Sequence, residues 1–289
     1  KEIVKKANGL NFQPTNTELT ALLTEAELIK EENPKYNKLL KKYSKNYFIC
    51  LDRNETFSPV NVVSNFDFDG NDYFGPYPNR DTVNAIKEII DKTFQLRECN
   101  KKEFVKKRKC YLSDIERCLE PCTNSVSLEN YNVELDKVYD FLGGHNQSSV
   151  DRLLNKMKML SEKKKYEEAA EVRDIVNSIL KQLSKSSILS EPINKANVLI
   201  EVNENSKKDY ILLIEGKITI HYKTSEIKFL EALQDYFQGT IHLYEELTDK
   251  DLERLKITLN WMIRNKEKIK VHYLKNYNSV EETATHFIF

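Results

Sequence analysis

The sequence predicts an α+β fold divided among several domains. Glycine and proline are sparse, with seven of each in 289 residues, so long stretches are free to form helices. Apolar residues recur at helical spacing through much of the first part of the chain. After Ala196, short runs rich in β-branched residues alternate with helical patterns. This change of pattern indicates a separate α+β domain in the last part of the sequence.

The first predicted helix covers residues 17–30. Thr15 and Glu18 have the spacing of a capping box, and apolar residues follow them at helical spacing. Residues 47–51 and 59–63 are rich in β-branched and aromatic side chains and are separated by a polar stretch. We therefore expect them to form two paired strands.

A stiff, extended connector is predicted for residues 72–78, because they contain a glycine, two prolines and several aromatic residues. The apolar face of residues 83–94 then indicates a helix. Either Asn79 or Asp81 is expected to cap its first turn.

Two antiparallel helices are predicted for residues 148–183, between a Gly-Gly break and a Ser- and Lys-rich linker at residues 184–190. The following domain is predicted from strands at residues 198–202, 210–214 and 218–222, a helix at 226–237, a strand at 241–244, a helix at 249–264 and a strand at 269–274. Its histidines are scattered along the sequence, so no second active site is predicted there.

Composition limits the class of protein. Charged residues make up 31% of the chain, the mean hydropathy is −0.60, and no apolar run approaches the roughly 20 residues of a membrane span. Five cysteines, with Cys50 isolated from the others, fit a reducing compartment, so a cytoplasmic location is expected. The formal net charge is zero, so any attraction to nucleic acid must come from local patches.

The other four cysteines lie in residues 98–122, a stretch that we call the cysteine segment; they are Cys99, Cys110, Cys118 and Cys122. Disulfides do not suit a reducing compartment, and the many lysines nearby do not suit a buried core. We therefore favour a set of metal ligands, because bonds to a metal replace the missing apolar core. The spacing alone leaves zinc and an iron–sulfur cluster both open.

Three stretches together carry a resemblance to a known family. Residues 73–78 (YFGPYP), 94–99 (FQLREC) and 117–122 (RCLEPC), in this order, strongly resemble the UvrC excinuclease subunit family, which has four cysteines in the matching region. The resemblance implies a 4Fe-4S cluster, with Zn²⁺ as the alternative, beside a DNA-cleaving domain. Basic residues among the cysteines would then contact DNA phosphates, unless they are only a solvated helix face; they are Lys101, Lys102, Lys106, Lys107, Arg108 and Lys109.

Residues 22–37 look like the second half of a GIY-YIG nuclease domain, the module that precedes the cysteines in this family. By this resemblance, Glu25 binds the catalytic Mg²⁺ or Mn²⁺, and Asn37 lies in the same site. The alternative is that Glu25 belongs to an ordinary solvated helix face. The family's chemistry also uses groups from the first half of the domain, which we expect upstream of Lys1 if the protein cleaves DNA. For this reason no nucleophile or base is assigned.

Residues 156–174 resemble the UVR motif through which UvrC associates with UvrB. Small residues there would permit close helix approach and charged ones would select the partner; the expected docking residues are Tyr166, Glu167, Ala169, Ala170, Arg173 and Asp174. The alternative is an intramolecular helical spacer.

Together these features predict four segments. They are the second half of a GIY-YIG-type α/β nuclease domain at residues 1–66, a connector with a cysteine-rich helical linker at 67–145, a helical hairpin at 146–184, and an α+β domain of unknown role at 191–289. The leading hypothesis is a UvrC-like endonuclease of nucleotide excision repair, recruited to damaged duplex DNA by a UvrB-like helicase. The alternatives are a non-catalytic adaptor that binds DNA and a partner, and a zinc-stapled scaffold without a role on DNA.

Overall fold

The structure is a computed structural model that describes residues 6–43, 45–65, 67–145, 147–186, 189–220, 226–239 and 247–286. It contains two compact units. The central unit comprises Lys45–Lys195, and the two-segment unit comprises Lys1–Ser44 together with Ala196–Phe289. The four-segment division proposed from the sequence stays a prediction; in the structure, the first helix and the first two strands belong to different units.

The predicted α+β class is confirmed. The helices are α1 (Glu18–Glu32), α2 (Arg80–Thr93), α3 (Lys101–Phe104), α4 (Tyr111–Asp114), α5 (Leu128–Leu142), α6 (Gln147–Glu162), α7 (Tyr166–Ser186), α8 (Glu226–Gln238), α9 (Asp249–Arg264) and α10 (Val280–His286). The strands are β1 (Tyr47–Leu51), β2 (Val60–Val63), β3 (Asp72–Tyr77), β4 (Asn197–Glu204), β5 (Lys207–Ile214), β6 (Lys217–Ile220) and β7 (Ile269–Tyr273). None of the described helices is both long enough and apolar enough to cross a bilayer.

The sheet of the central unit has the strand order β2-β1-β3, with both pairs antiparallel. The predicted pairing of the first two strands is confirmed. Residues 72–77 are extended, as predicted, but they form the strand β3 and not a connector. Proline is tolerated in β3 because the strand lies at the sheet edge. Gly75 has φ 139°, and a Cβ there would lie 2.9 Å from the Tyr47 carbonyl oxygen, so only glycine fits this close approach.

One apolar core holds the central unit together. It combines buried residues of β1, α2 and α5 with Leu153 of α6 and Val172, Val176 and Ile179 of α7. The predicted apolar face of α2 is buried in this core, and the side chain of Asn79 caps the helix by accepting the Thr82 N–H at 2.8 Å. Parts of both α6 and α7 therefore belong to this core. The two helices predicted for this stretch are confirmed.

The two-segment unit has a four-stranded antiparallel sheet in the order β6-β5-β4-β7. Helix α8 packs on one face, where Phe229 and Leu233 meet Leu199 and Leu212. The predicted strand at residues 241–244 lies outside the described residues.

Helix α1 belongs to this same unit, and its cap differs from the predicted one. Thr17, not Thr15, is the N-cap residue, and it forms the capping box with Thr20. Both hydroxyls also donate to the buried Asp209 of β5, at 2.7 and 2.9 Å. The indole of Trp261 on α9 donates to Glu18 at 2.9 Å, so α1 is fixed to both the sheet and α9.

Candidate metal centre in the cysteine segment

The cysteine segment has almost no core of its own. Its two helices, α3 and α4, are each four residues long and contain no buried residue. Pro121 is the only buried residue among residues 98–122, all of which are described. A stretch of this composition cannot be ordered by burial of apolar surface alone.

Hydrogen bonds tie the last part of the segment to Gln95, which precedes it, and an ion pair joins its two ends. The Leu119 N–H donates to the Gln95 carbonyl at 2.9 Å, and the Gln95 side chain donates to the Glu116 carbonyl at 2.8 Å. Arg117 pairs with Glu98 at 2.8 Å. The segment is therefore a closed loop that leaves α2 and returns beside it.

The four cysteines of the loop are close enough to influence one another electrostatically. Burial, together with negative charge on the other three cysteines, raises the pKa of the Cys118 thiol to about 11, and the hydrogen bond from the Glu120 N–H offsets part of this rise. Burial, Cys99 and Cys110 likewise raise the pKa of Cys122. A cation bound among these thiolates would remove this repulsion, so uptake of metal would release protons.

Hydrogen bonds also hold two of the sulfurs. The Cys118 sulfur accepts the Glu120 N–H at 3.4 Å, and the Cys122 thiol donates to the Arg108 carbonyl at 3.6 Å. Among the described residues, no three or more His, Cys, Asp or Glu side chains are arranged to hold a metal ion. Four cysteine thiols are the chemical type of ligand that zinc and iron–sulfur clusters take, and three of them influence the pKa of Cys118. The four-thiolate centre stays a prediction.

The six predicted DNA-binding residues are all exposed on this loop. Four of them lie near carboxylates of the same unit: Lys106 and Arg108 pair with Glu103, Lys109 with Asp114 at 3.7 Å, and Lys101 with Glu55 at 3.8 Å. Lys102 and Lys107 have no ion-pair partner among the described residues. These two lysines are the most available for contact with phosphate.

The residues predicted for the nuclease site lie in the two-segment unit. Glu25 is exposed on α1, and Asn37 is exposed beyond the end of this helix. The Asn37 N–H donates to the Pro34 carbonyl at 3.2 Å. The described residues show no hydrogen bond between the Glu25 and Asn37 side chains.

On the helical hairpin, the predicted docking residues divide into two groups. Ala169 is buried and Ala170 is half-buried, which agrees with close packing of α6 and α7. Tyr166, Glu167, Arg173 and Asp174 are exposed, and Arg173 pairs with Asp174 at 3.1 Å. The charged residues are thus available to a partner while the alanines serve the hairpin itself.

Two buried side chains that anchor the start of the loop, Arg97 and Tyr131, were not predicted from the sequence. Arg97 is 2% exposed and Tyr131 is fully buried, although Arg97 stands in a polar stretch that carries no signal of burial. The Tyr131 hydroxyl accepts the Arg97 N–H at 3.2 Å and donates to the Ser58 carbonyl at 2.8 Å. A guanidinium has to be paired to be buried, and its partner Glu55 is brought to Arg97 only by the fold, so the local sequence offered no clue.

A known protein family matches the part of the chain that contains the cysteine segment. Residues 46–141 match the family described as "UvrC/Cho excinuclease, middle domain". A protein from Acetivibrio thermocellus named "UvrABC system protein C" is 35% identical over 278 residues, which cover 91% of this chain. The chain belongs to the UvrC family. The predicted resemblance is confirmed.

Two further UvrC relatives show how far the similarity extends. "UvrABC system protein C" of Lachnospira eligens is 35% identical over 253 residues, covering 83% of this chain and 41% of that protein. The protein of the same name from Thermoanaerobacter sp. is 28% identical over 278 residues, covering 91% of this chain and 45% of that protein. The Acetivibrio protein is covered to 44%. The chain thus spans less than half the length of these UvrC relatives, and no solved structure matches it.

Proposed function

We propose that this chain is part of a UvrC-like DNA repair endonuclease that acts in nucleotide excision repair. The observation that supports this most is the cysteine segment, where four neighbouring thiols lie in a loop without a core. The unit that carries this loop is the one that matches the UvrC middle domain. The relatives' name, "UvrABC system protein C", agrees with a role in that system.

The proposed centre is held by Cys99, Cys110, Cys118 and Cys122. A 4Fe-4S cluster, or Zn²⁺ in its place, would supply bonds that cross-link the loop. The loop would then present its basic residues to the phosphates of a damaged duplex. Lys102 and Lys107, which have no described ion pair, are expected to contribute most to this contact.

Glu25 and Asn37 are proposed to form part of the nuclease site. A Mg²⁺ or Mn²⁺ ion bound there would stabilise negative charge on the leaving phosphodiester oxygen. Glu25 is suited to this because it is exposed, and a hard cation is held by one or two carboxylates together with waters and substrate oxygens.

The helical hairpin is proposed to recruit the chain to a UvrB-like helicase. Its exposed pair Arg173 and Asp174, together with Glu167 and the 64% exposed Tyr166, offers both charges and an aromatic ring to a partner. Such charges select a partner and its orientation more than they add affinity.

The centre is tested by metal analysis of protein purified without oxygen. The wild type is expected to contain iron with sulfide, and a visible absorption band, or else zinc. Cys118→Ser should lose the metal, whereas Cys50→Ala, which alters a buried cysteine of β1, should retain it. Wild-type protein without iron or zinc would contradict the proposal.

Cleavage is tested by nicking of irradiated supercoiled DNA by the intact polypeptide with a UvrB-type helicase. We expect nicking that depends on Mg²⁺ or Mn²⁺ and is lost in Glu25→Ala. Glu32→Ala, which changes another exposed acid of α1, is the matched control and should nick normally. If wild type binds DNA and the helicase without nicking, the chain is an adaptor. Normal nicking by Glu25→Ala would reject the assignment of Glu25.

A further inference from the structure

Arg97 stands where the cysteine segment begins, and its guanidinium is enclosed by three different parts of the central unit. One terminal nitrogen donates to the Cys99 carbonyl at 3.1 Å. The other pairs with Glu55, and Nε donates to the Phe57 carbonyl, both in the connection between β1 and β2. The ring of Phe104 on α3 lies over the guanidinium, with its centroid 4.5 Å away.

These contacts engage all three nitrogens and one face of the guanidinium. Its planar fork of five donors is rigid, so it fixes the relative positions of the groups that it binds. Arginine is rarely buried without a partner, and here Glu55 supplies the opposite charge. The remaining contacts hold the backbone of Cys99 and the aromatic side of α3. Both are parts of the loop that has almost no buried residue of its own.

The backbone of Phe57 gives independent support. Phe57 has φ 58°, a left-handed conformation that is strained for an aromatic residue. Its carbonyl accepts from Arg97, and its ring packs edge-on against Tyr131 with centroids 5.2 Å apart. The strained backbone of Phe57 directs its carbonyl at the buried guanidinium. Such strain persists only where the surrounding structure holds the backbone in place.

We infer that Arg97 is a positioning residue for the centre held by the four cysteines. By fixing the Cys99 carbonyl and the Phe104 ring against the β1–β2 connection, Arg97 sets where the first thiol of the ligand set lies. It also sets the direction in which α3 presents its lysines. This inference rests on the proposed metal centre, but it names a residue outside the ligand set.

Arg53 provides a matched control in the same unit. It pairs with the buried Asp72 at 2.6 Å, and its guanidinium lies 4.4 Å from the centroid of the Tyr139 ring. Its backbone N–H donates to Asn71 at 3.0 Å. Arg53 therefore has the same combination of ion pair and ring contact, but its described partners all lie outside the cysteine segment.

The test compares wild type, Arg97→Lys, Arg53→Lys and Cys118→Ser as full chains loaded with ferrous iron and sulfide, and separately with zinc. Loss of metal to a colourless chelator is timed, and visible circular dichroism of the iron form is recorded. Changes beside a ligand set typically cost about 10–100-fold in metal affinity. We expect Arg97→Lys to lose metal about tenfold faster and to show an altered dichroism spectrum, while Arg53→Lys retains wild-type values.

The possible failures are distinguishable. Equal metal loss and equal spectra in Arg97→Lys and Arg53→Lys would overturn the inference and leave the proposed centre intact. A wild type that takes up neither metal would overturn both. If Arg97→Lys does not fold, Phe104→Leu removes the ring that lies over the guanidinium, together with its contact with the Phe57 ring at 6.3 Å between centroids, and leaves the hydrogen bonds of Arg97 in place. Faster metal loss in that variant is expected, and an unchanged rate would overturn the inference.

Discussion

Phe94 and Cys99 lie close together in the chain, but the regions to which they belong are stabilised by different interactions. Phe94 contacts Phe141 edge-on, with centroids 5.7 Å apart, inside the apolar core of the central unit. Cys99 lies in the loop whose single buried residue, among the described residues 98–122, is Pro121. Burial stabilises the first region. Hydrogen bonds at its ends, and in our proposal a metal centre, order the second.

The stability of the core and the order of the loop are therefore separable in this unit. A substitution in the core should lower the free energy of unfolding whether or not metal is present. A substitution in the loop should alter metal binding or DNA binding while leaving the core intact.

The largest loss is expected for Phe94→Ala. Phe94 is 2% exposed, so its truncation removes buried apolar surface and leaves a cavity, at a cost of about 3–5 kcal/mol. Val105→Ala in the loop is the control, because Val105 is 70% exposed and its change should stay within about 0.5 kcal/mol. Hydrogen exchange of peptides from α2 and α5 measures both. Similar losses of unfolding free energy in the two variants would contradict the distinction between a core stabilised by burial and a loop that is not.

An intermediate loss is expected for Asp72→Asn. The Asp72 side chain is 1% exposed and forms ion pairs with Arg53 and Lys195, and it accepts from the Tyr139 hydroxyl. Both cations are about half exposed, at 45% and 52%, so water screens them once the carboxylate is gone. We expect a loss of roughly 1–3 kcal/mol, measured by urea unfolding. Metal content should not change, and a variant that loses metal would contradict the separation.

Much of the core could be predicted from the sequence, because periodic burial leaves a pattern. The apolar face of α2 and the two helices of the hairpin repeat at helical spacing, and the structure confirms both. The strand β3 was missed because Pro76 within it and Pro78 just after it indicate a break unless the strand is known to lie at a sheet edge. That position depends on tertiary structure, which local sequence does not encode.

The candidate site was predictable in a different way. The spacing of the cysteines and their basic neighbours pointed to the loop, since such residues stand out in a polar stretch. Arg97 did not stand out, because a buried arginine and an exposed one look the same in sequence. Its role depends on Phe57 and Glu55, which lie far from it along the chain and meet it only in the folded unit.

A pH-dependent effect is expected from the buried Glu134. Burial alone would raise its pKa, but hydrogen bonds from Lys137, the Gln95 N–H and Arg152 outweigh burial and hold the pKa below its ordinary value. The folded pKa is thus lower than the unfolded one, which is about 4.3. The stabilising contribution is present above that pH and is lost as the pH falls through the folded pKa. Urea unfolding between pH 7 and pH 3 measures it.

Two variants with opposite signs test this effect. Glu134→Gln should flatten the loss of stability in acid. Burial raises the pKa of Glu98, so its protonation favours the folded state as the pH falls, and Glu98→Gln should steepen the loss. Identical pH profiles in both variants and the wild type would show that other carboxylates control acid unfolding.

The smallest effect on stability is expected for the double variant Lys102→Gln/Lys107→Gln. Both side chains are exposed on the loop, so the free energy of unfolding should change by less than about 0.5 kcal/mol. The slope of log affinity for DNA against log salt concentration measures the number of phosphate contacts. If both lysines contact phosphate, this slope should become shallower by about 0.9 for each lysine, because fewer counterions are released on binding. Lys207→Gln, which changes an exposed lysine of β5, is the control and should keep the wild-type slope. A double variant that binds DNA with an unchanged slope would remove these lysines from the proposed DNA contact without affecting the proposed metal centre.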